Sequence, residues 1–114
     1  MAYLDTSVLA AYYCPEPLSE RVQEKLSRID EPVISPLVDL ELHSALSIKV
    51  RSGQMTAPLA NRVATAFATH LAEGRYGLLA IGADEYALAR RWISGFSMPL
   101  RTLDALHLAV AFSN

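Results

Sequence analysis

Short apolar runs alternate along the chain with longer stretches in which apolar residues recur every three or four positions. The short runs predict strands at residues 2–4, 32–35 and 76–81. The longer stretches predict helices at residues 6–13, 18–29, 36–52, 57–73, 85–93 and 102–113. Strands joined by helices of this length need crossover connections, which make neighbouring strands parallel. We therefore predict an α/β fold of three layers, α/β/α, with a small parallel sheet between helices.

Composition narrows the class of protein. The chain has 114 residues, of which 52% are apolar and 19% charged, enough for one compact core. We therefore predict a single domain over residues 1–114. The formal net charge of -2 disfavours a protein that coats duplex nucleic acid with basic side chains. It is compatible with an enzyme that reaches nucleic acid through metal ions, because a divalent cation inverts the charge of an acidic pocket.

The distribution of cysteine and apolar residues indicates the compartment. Cys14 is the only cysteine, so no internal disulfide can form. The first residues carry no basic flank and include Asp5 among apolar side chains, unlike an export signal. No apolar run approaches the roughly 20 residues that a membrane helix needs. We expect a soluble, cytoplasmic protein without a membrane partner.

Two acids stand near the predicted sheet in positions that invite a chemical explanation. Asp5 follows the first strand, at the strand end where open α/β sheets bind ligands. It also suits the N-cap of the helix that begins at Thr6. Glu41 projects from the apolar side of helix 36–52, where it either pairs with a cation such as Arg101 or binds a metal ion. Asp39 falls on the polar side and is predicted to be an ordinary solvated acid.

Asp104 is a third such acid. It lies in helix 102–113, which is apolar apart from Asp104 and His107 and is therefore predicted to be buried on most of its surface. The simple alternative is a first-turn acid favoured by the helix dipole. Carboxylates gathered at one end of a sheet repel one another unless a cation lies among them, and oxygen ligands of this type suit Mg²⁺ or Mn²⁺. A metal cluster would explain all three positions together.

Three segments resemble the motif regions of a known family. "YLDTSVLAAYY", "VISPLVDLELHSAL" and "LRTLDALHLAVA" are similar to the three motifs of PIN-domain proteins, in order, and most closely to the VapC-type ribonuclease toxins of VapBC toxin-antitoxin pairs. The resemblance spans residues 2–112. It implies that Asp5, Glu41 and Asp104 are the catalytic, metal-binding acids, and that they hold Mg²⁺ or Mn²⁺ and cut RNA. It also implies a small antitoxin as partner and a homodimer.

Three residues near these acids have two readings each. Thr6 and Ser7 match the hydroxyl position beside the first family acid, where they either orient a metal-bound water or cap the first helix. Arg101 either touches the phosphate of the substrate or pairs with Glu41. A metal-activated water would make a protein nucleophile unnecessary. His43, His70 and His107 show no metal spacing with the acids and are predicted to be core or surface histidines.

The sequence departs from the family pattern after the third motif. PIN domains continue into another parallel strand that carries a fourth acid, whereas this sequence ends at Asn114. Either the sequence is part of a longer protein, or this is a shortened member of the family, whose metal site would lack one wall and whose sheet would lack its last strand. The leading hypothesis is a metal-dependent endoribonuclease toxin, and the alternative is an interaction module that binds an antitoxin or dimerises without turnover. A phosphohydrolase with Asp5 as nucleophile is a poorer match, because Ser7 stands where such enzymes carry a second acid.

Overall fold

The computed structural model describes residues 2–17, 19–95 and 100–114, which divide into two compact units, Met1–Leu78 and Leu79–Asn114. The first unit contains a parallel sheet of three short strands, β1 (Ala2–Tyr3), β2 (Pro32–Ile34) and β3 (Gly77–Leu78), in that order. In the register of the sheet, Tyr3 is opposite Val33, and Ile34 is opposite Leu78. The predicted α/β class with a small parallel sheet is confirmed.

The third strand is shorter than predicted. Residues 76–81 were expected to be extended, but only Gly77–Leu78 pairs with β2. At Gly77 an added Cβ would lie 2.9 Å from Cγ1 of Val33, so the strands approach closely there because glycine has no side chain. Leu78 is 64% exposed, which fits a strand paired on one side only within the described residues.

The helices of the first unit are α1 (Thr6–Tyr13), α2 (Ser19–Leu26), α3 (Pro36–Arg51) and α4 (Ala57–Ala72). Their ends follow the sequence signals. Thr56 accepts a hydrogen bond from the Leu59 amide at 3.3 Å, which caps α4. Gly53 and Gly74, which follow α3 and α4, have φ angles of +80° and +75°, a conformation that favours glycine. The predicted start of α2 at Leu18 lies outside the described residues.

The core of the first unit joins the sheet to the inner faces of α1, α3 and α4. Phe67 is 1% exposed and packs with Ile34, which is fully buried. Along α3 the buried positions recur at every fourth residue: Val38, Leu42 and Leu46. This packing fixes α1 and α3 against the sheet, so the side chains at their N-terminal ends have defined positions.

The second unit is a pair of helices, α5 (Ala83–Ser94) and α6 (Thr102–Ser113), which pack on each other. The rings of Trp92 and Phe112 meet edge to face, with centroids 5.8 Å apart. By residue type Asp84 is the predicted N-cap of α5, but this prediction is wrong: Gly82 holds the N-cap position, and its N–H donates to Glu85 Oε2 at 2.9 Å. Gly95 and Pro99 are both residue types that predict the end of this helix; Gly95 is confirmed as the C-cap of α5, whereas Pro99 lies outside the described residues.

Helix α6 is more exposed than predicted. Its buried side is made of small and medium apolar residues: Ala105, Leu106, Ala109 and Val110. Leu103, Leu108 and Phe112 are 45%, 47% and 74% exposed. The expectation of a helix buried on most of its surface is therefore wrong, because an apolar composition does not by itself supply neighbours for every face. Within the described ranges, no helix is long and apolar enough to cross a membrane.

Candidate active site

Asp5 lies just after β1 and caps α1. Its Oδ1 accepts hydrogen bonds from the Val8 amide at 3.2 Å and from Ser7 Oγ at 2.7 Å. Both bonds use the same carboxylate oxygen, and the residue is exposed. The capping role predicted for Asp5 is confirmed. It is compatible with ligand binding, because neither bond involves Oδ2.

Glu41 is held near the start of α1 by Thr6, the residue that follows Asp5. Thr6 Oγ1 donates to Glu41 Oε1 at 2.8 Å, although the two residues are 35 positions apart. The sheet explains the contact: β1 and β2 are neighbouring parallel strands, so α1 and α3 begin at the same edge. Glu41, in the second turn of α3, is half-buried. Thr6 thus positions a carboxylate, a role that the sequence had not indicated.

A pair of hydroxyl groups lies at the same edge of the sheet. Tyr3, in β1, and Ser35, directly after β2, place their side-chain oxygens 2.8 Å apart, and Ser35 is fully buried. Ser35 occupies the N-cap position of α3 without a side-chain capping bond, because its hydroxyl is paired with Tyr3. The sequence reasoning missed this pair, since a serine before Pro36 has the pattern of an ordinary helix start.

The electrostatics of Tyr3 connect the pair with the acids. Burial raises the pKa of Tyr3, the hydrogen bond with Ser35 acts in the opposite direction, and the negative charges of Glu41 and Asp5 raise the pKa further. Both carboxylates are therefore close enough to act on the same phenol. Two such carboxylates repel each other, and a cation between them would relieve the repulsion.

The donor set of this edge fits a hard divalent cation. Asp5 and Glu41 offer carboxylate oxygens, and Mg²⁺ commonly binds through one or two carboxylates together with substrate phosphate and water. Within the described residues of either unit, no three acidic, histidine or cysteine side chains form a group that could hold a metal ion. Two protein carboxylates are thus what the first unit itself provides.

The other predicted site residues lie in the second unit. Asp104 is the third residue of α6 and is exposed, in agreement with the first-turn position that the helix dipole favours. Arg101 holds the N-cap position of the same helix, is exposed and makes no side-chain capping bond. Membership of Asp104 in the acidic cluster and pairing of Arg101 with Glu41 stay predictions.

The remaining polar groups singled out in the sequence have structural partners. His43 Nδ1 lies 2.9 Å from the Asp39 carbonyl oxygen and 3.4 Å from its Oδ1, on an exposed face, so Asp39 belongs to the polar side of α3 as predicted. His70 contacts Tyr13, and His107 is half-buried. Cys14 is buried, and burial raises the pKa of its thiol, as is typical of a structural cysteine.

The fold is that of an α/β protein in which Asp5 follows β1 and Glu41 lies in the helix that follows β2. The family comparison agrees: the PIN domain model matches residues 2–114, and the chain belongs to the PIN-domain family. PIN domains are generally nucleases that bind RNA and typically use divalent metal ions. The comparison with curated proteins gives no match.

Proposed function

We propose that this protein is an Mg²⁺- or Mn²⁺-dependent endoribonuclease of the VapC toxin type, controlled by a small antitoxin. The observation that supports it best is the convergence of Asp5 and Glu41 at one sheet edge, each held by a hydroxyl from the first turn of α1. In this proposal Asp104 supplies the third carboxylate. Antitoxin binding, homodimerisation and a cytoplasmic location come from the family resemblance.

The residues of the site divide the work between them. Ser7 and the Val8 amide fix Asp5 through Oδ1, and Thr6 fixes Glu41 through Oε1. Fixed carboxylates lose little freedom when a cation binds, which favours binding. A divalent cation, when bound, lowers the pKa of a coordinated water and neutralises the phosphate of the substrate. Arg101 contacts that phosphate or pairs with Glu41, and without a cation the acids repel RNA.

Replacement of Asp5 by asparagine tests the proposal. Asparagine caps helices about as well as aspartate, so the Asp5→Asn protein is expected to keep its circular dichroism spectrum. Cleavage of a fluorescent single-stranded RNA in Mn²⁺ is expected to fall about a hundredfold or more, because a charged ligand of the cation is lost. The matched control is Asp39→Asn, which removes an exposed acid of α3 that pairs with His43.

The control and a chelator separate the possible results. Asp39→Asn should cleave RNA at the rate of the unchanged protein, and excess EDTA should stop cleavage by both. Cleavage that persists in EDTA, or that survives Asp5→Asn, would contradict the proposal.

The alternative function is partner binding without turnover, and one observation favours it. Leu108 and Phe112 leave large apolar surfaces exposed on α6, as is typical of contact surfaces for other proteins. Under this alternative, a folded protein shows no Mn²⁺-dependent cleavage of any RNA tested but still dimerises or binds an antitoxin. Leu108→Ser together with Phe112→Ser should then abolish the association in analytical ultracentrifugation.

A further inference from the structure

A hydrogen-bonded cluster of two tyrosines and a histidine lies at the end of α1 remote from the acids. The Tyr13 hydroxyl is 2.6 Å from His70 Nδ1 and 2.6 Å from the Tyr76 hydroxyl. Asp5 caps the first turn of α1 and Tyr13 is its last residue, and a helix of eight residues is about 12 Å long. The proposed nuclease site therefore does not account for this cluster.

A pocket of about 250 Å³ opens beside the cluster, wholly within the first unit. Apolar side chains from α2 and from the segment that leads into β2 form part of its lining. The polar groups of the lining include those of Tyr12, Gln23, Asp30, His70, Arg75 and Tyr76. Small-molecule sites usually begin at roughly 300 Å³, so this space suits one small ligand or one unit of a longer chain. We call it the Tyr12 pocket.

The walls of the Tyr12 pocket are held in place from several directions. Tyr12 meets the ring of Tyr13 edge to face, with centroids 4.8 Å apart, and its carbonyl accepts a hydrogen bond from Gln23 at 3.3 Å. Tyr76 is 7% exposed and is fixed by its bond to Tyr13. Pre-formed aromatic walls of this kind bind planar rings with little loss of conformational freedom.

Charge is present in the Tyr12 pocket but nearly balanced. Arg75 pairs with Glu73 through Nε at 2.9 Å, and the same residue lines the pocket. The positive charge of Arg75 lowers the pKa of both Tyr13 and Tyr76, against the larger effect of burial, so the guanidinium lies close to the cluster. Asp30 adds a hydrogen-bond acceptor of opposite charge. An inorganic anion would be attracted by Arg75 but repelled by the nearby carboxylates of Asp30 and Glu73.

We propose that the Tyr12 pocket binds one nucleotide unit, with the base against the tyrosine rings, its N–H groups donating to Asp30, and its phosphate on Arg75. Bases of single-stranded RNA are commonly bound by stacking on aromatic rings and by contacts with arginine. The unit is either a free nucleotide or one residue of an RNA strand. The second source rests on the proposed ribonuclease function, whereas the first does not.

Binding can be measured without cleavage. GMP is the first probe, because guanine offers adjacent N–H donors to the Asp30 carboxylate. In EDTA, isothermal titration calorimetry should show saturable GMP binding in the millimolar range or tighter, and none for inorganic phosphate. The second probe is a fluorescent single-stranded oligoribonucleotide that contains guanine, followed by anisotropy.

Two variants and a matched control locate the binding. Tyr12→Leu and Arg75→Gln should each weaken GMP binding about fivefold or more, the loss expected for one stacking contact or one charged hydrogen bond. Arg28→Gln is the control, because Arg28 is also an exposed arginine paired with a glutamate, Glu24, at 2.8 Å, but does not line the pocket. Circular dichroism checks that each variant is folded.

The outcomes distinguish the sources and the failures. If both variants weaken binding of the oligoribonucleotide as well as binding of GMP, the natural occupant is a residue of RNA. If they weaken only GMP binding, the occupant is a free nucleotide. No saturable GMP binding up to about 10 mM, or binding unchanged in both variants, would overturn the inference. GMP binding is measured in EDTA and is therefore independent of cleavage. If GMP does not bind but Mn²⁺-dependent cleavage is intact, the pocket inference fails and the proposed function holds. If GMP binds but no cleavage occurs, the proposed function fails and the pocket inference holds.

Discussion

At the scale of single residues, hydroxyl groups hold the carboxylates of Asp5 and Glu41 in place at the edge of the sheet. Thr6 and Ser7 are consecutive, yet they serve different carboxylates: Ser7 bonds Asp5 in the same helical turn, and Thr6 bonds Glu41 in α3. A hydroxyl that donates to a carboxylate oxygen fixes the orientation of that carboxylate. Thr6 is therefore a positioning residue for the proposed cation site.

The Thr6 hydroxyl can be removed with little change of shape. Thr6→Val is expected to reduce Mn²⁺-dependent cleavage about tenfold to a hundredfold and to raise the Mn²⁺ concentration needed for half-maximal rate, because Glu41 loses its donor. Thr6→Ser restores the hydroxyl and should restore both quantities. Thr65→Val, at an exposed position of α4, is the matched control. Equal rates and equal Mn²⁺ requirements for the valine and serine variants would show that Thr6 does not position Glu41.

At the scale of elements, α1 connects two different chemical environments. Its first turn carries the Asp5 cap, its last residue is Tyr13, and its middle, at Leu9, is fully buried. Tyr13 bonds His70 of α4 and Tyr76 before β3, so the C-terminal end of α1 is tied to two other segments of the first unit. The hydroxyl of one residue thus joins three segments.

Tyr13→Phe tests how much this junction stabilises the fold. The ring contact with Phe67, with centroids 5.7 Å apart, should survive, while His70 and Tyr76 lose their common partner. We expect the free energy of unfolding to fall by about 1–3 kcal/mol, measured by urea denaturation. Tyr86→Phe, at an exposed position of α5, should change it by no more than about 0.5 kcal/mol. An unchanged midpoint for Tyr13→Phe would mean that water replaces the lost bonds at no cost.

At the scale of the whole molecule, buried phenols make stability depend on alkaline pH. Burial raises the pKa of Tyr3, Tyr13 and Tyr76 in the folded state, whereas tyrosines of the unfolded chain ionise near pH 10. The folded protein therefore keeps protons that the unfolded chain releases. The resulting stability is fully present below about pH 10 and is lost as the pH rises through the folded pKa values.

Absorbance of tyrosinate at 295 nm provides the measurement. In native conditions a fraction of the five tyrosines should titrate at clearly higher pH than in urea, and the melting temperature should fall steeply above about pH 10. In Tyr13→Phe the late-titrating fraction should shrink. Native and unfolded titration curves that coincide would contradict the assigned burial of these phenols.

Much of the architecture follows from the sequence alone. The alternation of short apolar runs with amphipathic stretches predicts the α/β class and every helix described, because the periods of strand and helix are local properties. The same pattern places Asp5 after the first strand and Glu41 on the inner side of α3. The PIN family was also evident from the motifs around these acids.

Other features were decided by the tertiary structure. Three hydrogen bonds join residues that are far apart in sequence: Thr6 with Glu41 across 35 residues, Tyr3 with Ser35 across 32, and Tyr13 with Tyr76 across 63. No local pattern encodes such contacts, because they depend on strand order and on how side chains fill the space between elements. The same reason explains the short β3 and the exposed face of α6, since a periodic pattern specifies which side of an element is apolar but only neighbouring elements determine whether that side is covered.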